Sequence, residues 1–272
     1  MIPKDFITEW RAHAPWVADR QVEQDLVISR ALVELFAREP IANALAFRGG
    51  TALYKLHLRI RPAARYSEDI DLVQTAAGEI GPVLDAIHDA LDGWLGKPQW
   101  KQTEGRVTLG YRFESEELPP VRLKLKIEIN SREHFTVFGL RKHPFEVKSR
   151  WFTGAADIHT YELDELLGTK LRALYQRKKG RDLFDLALAL AHEGVSAERV
   201  VACFARYMDE EGARVTRAMF EQNLAAKKAD KVFTADMTPL LAPGRTWSFD
   251  EAFDAVWRGL MGRLPGDPWK GA

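Results

Sequence analysis

The hydrophobic period of this chain changes once along its length, and that change limits the architectures open to it. Residues 121–130 alternate almost strictly. Leu123, Leu125, Ile127 and Ile129 fall on one side and Arg122, Lys124, Lys126, Glu128 and Asn130 on the other, which is the pattern of a half-buried strand. Residues 66–73, 106–113 and 145–152 also read as strands. Helical stretches lie among them: residues 17–38 carry Val22, Leu26, Leu32, Val33 and Phe36 at three- and four-residue spacing, and residues 81–95 place Leu84, Ile87, Leu91 and Leu95 on one face. Past about Gly154 the period of two disappears. Residues 162–176, 181–193, 197–209, 212–226 and 249–264 all suit helices, and residues 227–245, with Pro239 and Pro243, read as a long connection. The chain is therefore expected to be α+β, with a mixed sheet and helices over residues 1–155 and an all-helical C-terminal domain over residues 156–272.

Charge narrows the function classes. The 39 Lys and Arg residues balance 39 Asp and Glu residues, so a uniformly basic nucleic-acid binder is excluded and any such surface must be local. The single cysteine, Cys203, cannot form an internal disulfide or a multi-cysteine zinc site, which suits a reducing compartment. Lys4, Asp5 and Glu9 interrupt any signal-peptide core, and no apolar run approaches membrane length. The expectation is a cytoplasmic protein with no membrane partner.

Asp69 and Asp71 stand two apart on a strand, so both carboxylates leave the same face while Ile70 and Leu72 enter the core. An isolated D-x-D is equally a pair of solvated acids, but two hard carboxylates also suit magnesium whose other ligands are phosphate oxygens. Upstream, residues 41–47 read as a strand or buried segment. They lead into Gly49-Gly50-Thr51, where a helix opening at Thr51 would present free backbone N–H groups to a phosphate. Glu128 would be a third acid near the metal, or the partner of a cross-strand lysine. Residues 170–181 hold six bases and no acid; Lys170 and Arg177 share a helix face, and Arg181 extends the cluster. Asp182 and Asp185 follow at the start of the next helix. Ser67, just before the acid pair, sits where a phosphoryl group would block the pocket.

Taken in order, Gly49-Gly50-Thr51-Ala52-Leu53, Ser67-Glu68-Asp69-Ile70-Asp71-Leu72, Lys126-Ile127-Glu128-Ile129-Asn130, residues 165–174 and Arg177-Lys178-Lys179-Gly180-Arg181-Asp182-Leu183-Phe184-Asp185-Leu186 resemble the AbiEii/AbiGii family of nucleotidyltransferase toxins, which includes the MenT toxins. The resemblance spans about residues 33–193. It implies a DNA polymerase beta-like nucleotidyltransferase core, followed by a helical domain that contributes to the active-site cleft. The implied chemistry is transfer of NMP from an NTP, assisted by Mg2+ or Mn2+, to an RNA such as the tRNA 3′ end. The chain would then be a toxin countered by a separately encoded antitoxin. By matching position, Gly49, Gly50 and Thr51 would cradle the nucleotide phosphates; the residues' own pattern adds Ser67, Arg177 and Arg181 as candidate phosphate-binding groups. By the same matching, Asp69 and Asp71 would hold metal, Lys170 would meet the triphosphate, and Asp182 or Asp185 would enter the active site, while Glu128 stands as third acid on its strand position alone. Many superfamily members have Gly-Ser where this chain has Gly49-Gly50, so Thr51 or backbone N–H groups must replace that hydroxyl. Two other readings stay open on the residues: a nucleotidyltransferase acting on a small molecule, and a nucleotide-binding regulatory module without transfer activity.

Overall fold

A computed structural model describes residues 2–58 and 64–271. The chain divides into two compact units, Met1–Tyr161 and Glu162–Ala272.

The first unit opens with helices α1 (Lys4–Trp10) and α2 (Asp19–Phe36), then α3 (Glu39–Ala44) and strand β1 (Leu45–Arg48). Pro40, whose fixed φ suits the first turn of a helix, opens α3, so the strand is confined to four residues. A helix then begins at Gly49 (α4, Gly49–Ala52) and continues as a π-helical turn over Leu53–Leu58. It starts three residues earlier than a Thr51 cap requires, with Arg48 as its cap, because the Thr51 hydroxyl is committed elsewhere, to the Asp69 carbonyl at 2.6 Å and the Ser67 hydroxyl at 2.9 Å.

Strand β2 (Asp69–Gln74) and helix α5 (Gly81–Leu95) follow, and then β3 (Gln99–Thr103), β4 (Arg106–Glu114), β5 (Arg122–Asn130), β6 (Leu140–Lys148) and β7 (Thr153–Tyr161). They form one seven-stranded sheet in the order β3-β4-β5-β2-β1-β7-β6. β2 runs parallel to β5 and β1 parallel to β7; the remaining pairs are antiparallel. The expected strand at 145–152 is instead the end of β6 and a tight turn. Ser149 and Phe152 close that turn with N–H···O bonds of 3.0 Å, and the chain reverses into β7, which carries the first unit to Tyr161.

Alternation in β5 buries Leu125, Ile127 and Ile129, while Ile70, Leu72 and Val73 of β2 and Leu45, Ala46 and Phe47 of β1 are also buried. α2 supplies Val22, Leu26, Leu32 and Leu35 to this core, all fully buried. It also buries Glu23, whose Oε2 accepts from the Glu116 N–H at 3.0 Å. Burial pushes the Glu23 carboxyl up to about 7. A raised acid stabilises the fold fully below its unfolded value near 4.5, and that contribution is lost as pH rises through 7. Glu23→Gln should therefore flatten the fall in thermal stability between pH 5 and 8 and stabilise the protein by roughly 1–3 kcal/mol above pH 7.

The second unit is helical: α6 (Leu163–Gln176), α7 (Gly180–Leu190), α8 (Ala197–Glu210), α9 (Arg217–Lys228), α10 (Lys231–Ala235) and α11 (Phe249–Leu260). Ser196, Thr216, Asp230 and Ser248 cap α8 to α11 by accepting backbone N–H bonds. Thr216 starts α9 later than residue 212 because Gly212, at φ +71°, lies in the turn that ends α8. Two glycines, one in α6 and one at the start of α7, have packing roles. A Cβ on Gly168 would lie 2.4 Å from Cys203 Cβ, and one on Gly180 would lie 2.2 Å from the Phe233 carbonyl oxygen. Cys203 is fully buried, and burial pushes its thiol up to about 12, so it serves as a small core residue. Among the described residues no helix is long and apolar enough to cross a membrane.

Candidate active site

Parallel pairing of β2 with β5 sets the register that matters: Asp69 lies opposite Lys126 and Asp71 opposite Glu128. On the other side of β2, the antiparallel neighbour places Arg48 opposite Asp71. Arg48, Asp71 and Glu128 thus form one row across three strands, with Asp69 and Lys126 in the adjacent row on the same face. Arg48, Asp71, Leu72, Arg106, Glu128 and Asn130 line a cleft of about 270 Å³ that opens to solvent.

Each acid in this group has a basic neighbour. Lys126 Nζ lies 3.1 Å from Asp69 Oδ2 and also contacts Glu128 Oε2. Burial works against the lysine's charge, but the bond to Glu128 and the proximity of Asp69 hold its pKa above the ordinary value. Arg106 reaches Glu128 at 3.5 Å. Arg48 donates to Glu133 at 2.5 Å; burial opposes its charge, and Glu133, Tyr161 and Asp71 outweigh that. Asn130 supports this last pair, since its Oδ1 accepts the N–H groups of Arg132 (2.9 Å) and Glu133 (3.1 Å) and fixes the turn that carries Glu133.

The glycine pair is packed against this face. Gly49 has φ +83°, and a Cβ there would fall 2.1 Å from Asp71 Oδ2; a Cβ on Gly50 would fall 2.4 Å from Arg65 Nη2 and 3.1 Å from Ser67 Oγ. Gly49→Ala is expected to displace the Asp71 carboxylate and strain the turn. The stability cost should be about 1–3 kcal/mol by thermal unfolding. Thr51 is 2% exposed, and its hydroxyl ties the helix start to β2 rather than facing the cleft, so a phosphate at this turn would meet backbone N–H groups. Ser67 shares its hydroxyl with Thr51 and lies beneath the glycine turn.

The donor set suits a divalent cation. Two hard carboxylates, Asp69 and Asp71, project from one strand face beside a side-chain-free turn, which matches magnesium completed by phosphate oxygens. Glu128 shares the face, but its carboxylate is engaged by Lys126 and Arg106. Among the described residues no three His, Cys, Asp or Glu side chains converge into a closed metal cage.

In the helical unit, Lys170, Asp182 and Asp185 form a buried cluster. Lys170 Nζ lies 2.7 Å from Asp185 Oδ2 and 3.4 Å from Asp182 Oδ1; Arg177 binds Asp182 through Nε (2.7 Å) and Nη2 (2.9 Å). Both acids are fully buried. Burial opposes the Asp182 charge, but Lys170 and Arg177 outweigh it and hold the carboxyl below its usual value. The basic run is not a bare cationic strip: Arg172 pairs with Glu211 (3.0 Å), Lys178 with Asp230 (3.1 Å) and Lys179 with Asp236 (3.9 Å). Arg181 donates its backbone N–H to Asp236 at 3.2 Å. The sequence reading missed Arg48, Arg106 and Glu133, which become visible only once strands separated by tens of residues are in register.

Residues 30–255 match the family model described as nucleotidyl transferase AbiEii toxin, type IV TA system. The fold is similar to that of MenT4, a nucleotidyltransferase toxin from Mycobacterium tuberculosis H37Rv, at TM-score 0.70 and 18% identity, covering 97% of this chain and 91% of that one. It is also similar to the crystal structure of a protein from H. pylori described as a nucleotidyltransferase, at TM-score 0.58 and 18% identity, covering 89% of this chain and 94% of that one. A comparison with curated proteins gives no match. With the family model spanning most of the sequence, and the glycine turn, the acid pair and the sheet in the arrangement just described, the chain belongs to the AbiEii family of nucleotidyltransferase toxins.

Proposed function

We propose that this protein transfers a nucleoside monophosphate from an NTP to an RNA hydroxyl, with the 3′ end of tRNA as the acceptor class, and thereby arrests translation and growth. The observation that carries the reading is the set of carboxylates Asp69, Asp71 and Glu128 on one sheet face, with Asp71 directly against Gly49. Asp69 and Asp71 would hold Mg2+ or Mn2+, which would supply charge neutralisation on the phosphates. The acceptor oxygen forms a bond to the α-phosphorus, the bond to pyrophosphate breaks, and the acceptor proton passes to a base, for which Glu128 is the nearest candidate on this face. Arg48 and Arg106 would offer positive charge to the phosphates. Lys170, Asp182 and Asp185 act first as a structural clamp between α6 and α7; a part for Lys170 at the triphosphate requires that it leave this clamp.

An RNA acceptor is favoured over a small molecule because the cleft is lined mainly by charged and polar side chains, whereas small-molecule pockets are largely apolar. Lys178 and Lys179 are solvent-exposed, and their surface ion pairs are weak enough to yield to a phosphate backbone. The toxin's natural counterpart would be a separately encoded antitoxin, and the site of action the cytoplasm. Incubation of the protein with each α-labelled NTP, Mg2+ and total RNA tests the reading. Label in tRNA supports it. Label only in a small-molecule fraction favours the small-molecule reading, and NTP binding without any transfer favours the regulatory one.

A further inference from the structure

The acids and bases of the sheet face are nearly balanced. Asp69, Asp71 and Glu128 carry three negative charges, Arg48, Lys126 and Arg106 carry three positive ones, and Glu133 behind Arg48 adds one negative charge. These bases differ in freedom. Arg48 is fixed by Glu133, and Arg106 reaches Glu128 at 3.5 Å from a largely exposed position. Lys126 stands apart because it bridges two of the three acids, one of them Asp69. An ammonium group 3.1 Å from Asp69 Oδ2 and a divalent cation bound to the same carboxylate would repel each other strongly. That repulsion favours the departure of Lys126 from Asp69 when the carboxylate takes a cation. Its side chain is about 30% exposed on a flexible four-carbon stem, so that movement requires no backbone change. A released ammonium in a polar cleft needs a new anion, and the phosphates of an NTP would supply one within the same cleft.

We infer that Lys126 couples cation binding to nucleotide binding: it bridges Asp69 and Glu128 in the free protein and transfers to the nucleotide's phosphates when a divalent cation takes Asp69. The inference rests on the reading of Asp69 and Asp71 as metal ligands. Lys126 is thus a positioning residue that opposes cation binding without nucleotide and favours it with nucleotide. Linkage is reciprocal, so the cation must raise nucleotide affinity by the factor by which the nucleotide raises cation affinity.

The experiment is calorimetric titration of Mn2+ into the full chain, alone and with each non-hydrolysable α,β-methylene NTP, for the wild type, Lys126→Met, Lys126→Gln and Asp69→Asn. In the wild type the best analogue should tighten Mn2+ binding by roughly 5- to 150-fold. Lys126→Met should bind Mn2+ alone about tenfold more tightly than wild type, with the analogue's enhancement cut at least about threefold. Lys126→Gln should show the same pair of changes, and it serves as the test if the Met variant fails to fold. The proposal is overturned if either folded variant binds Mn2+ alone no more tightly than wild type and keeps the wild-type enhancement. Asp69→Asn separates the two levels: loss of Mn2+ binding there, with unchanged coupling in the Lys126 variants, sinks the Lys126 proposal alone. Retention of wild-type Mn2+ affinity by Asp69→Asn sinks the metal reading beneath it.

Discussion

Asp69→Asn should lower nucleotide transfer by at least roughly 10³-fold, about 4 kcal/mol of barrier, and should release cells from growth arrest. The size follows from the role proposed for this carboxylate, since removing one of two strand-borne metal ligands forfeits most of the charge neutralisation on the reacting phosphates. The substitution is mild for the fold. Asparagine keeps the shape of the side chain, Thr51 bonds the Asp69 backbone carbonyl and not its carboxylate, and Lys126 retains Glu128 as a partner. Thermal stability should therefore stay within a few degrees of wild type, which is the shift expected of a surface change below about 1 kcal/mol. Asp71→Asn should behave in the same way. Growth arrest surviving in either variant, with folding intact, would mean that toxicity does not come from this site.

Lys170→Met should instead be a stability mutation, at a cost of about 3–5 kcal/mol in the helical unit. Lys170 is 6% exposed and lies between two fully buried carboxylates. Without it Asp182 keeps Arg177, but Asp185 loses the cation 2.7 Å from its oxygen. The double variant Lys170→Met with Asp185→Asn should recover part of the loss, because it removes a buried charge together with its partner. Acid titration provides a second check. Asp182 titrates below its unfolded value near 3.8, so its contribution is fully present above that pH and is lost as pH falls through the lower folded value. Wild type should therefore lose stability more steeply than the double variant below pH 4. If Lys170→Met kept full stability but lost transfer, the lysine's main task would lie with the nucleotide.

What could be read in the sequence follows from how local each signal is. β5 was bounded to within a residue because one face is buried and the other wet, so its period is clean. β3, Gln99–Thr103, has every residue exposed and sits at the sheet edge, leaving no alternation to detect. β7 carries small and polar residues, Thr153, Gly154, Ala155 and Ala156, and merges with the turn before it. The acid pair was legible because a spacing of two on a strand fixes a common face. Its counter-charges were not, because which lysine or arginine meets which acid is set by pairing β2 with β5 and β1, and no local pattern encodes that register. The cluster of Lys170, Asp182 and Asp185 was legible as a set of residues. Its burial was not, since charged side chains at helical spacing look alike whether they face water or one another.

The position of β1 in the sheet also sets an order of events during synthesis. β1 lies between β2 and β7, and β2 in turn pairs with β5. A growing chain that has emerged only as far as Asp71 holds the acid pair and the glycine turn but lacks Lys126 and Glu128, and β1 lacks its second neighbour until Thr160 has been added. Both parallel pairings close long loops, which makes them late and slow steps. A chain interrupted before Lys126 therefore carries the acid pair without the strand that supplies Glu128, so products that short should show no nucleotide transfer.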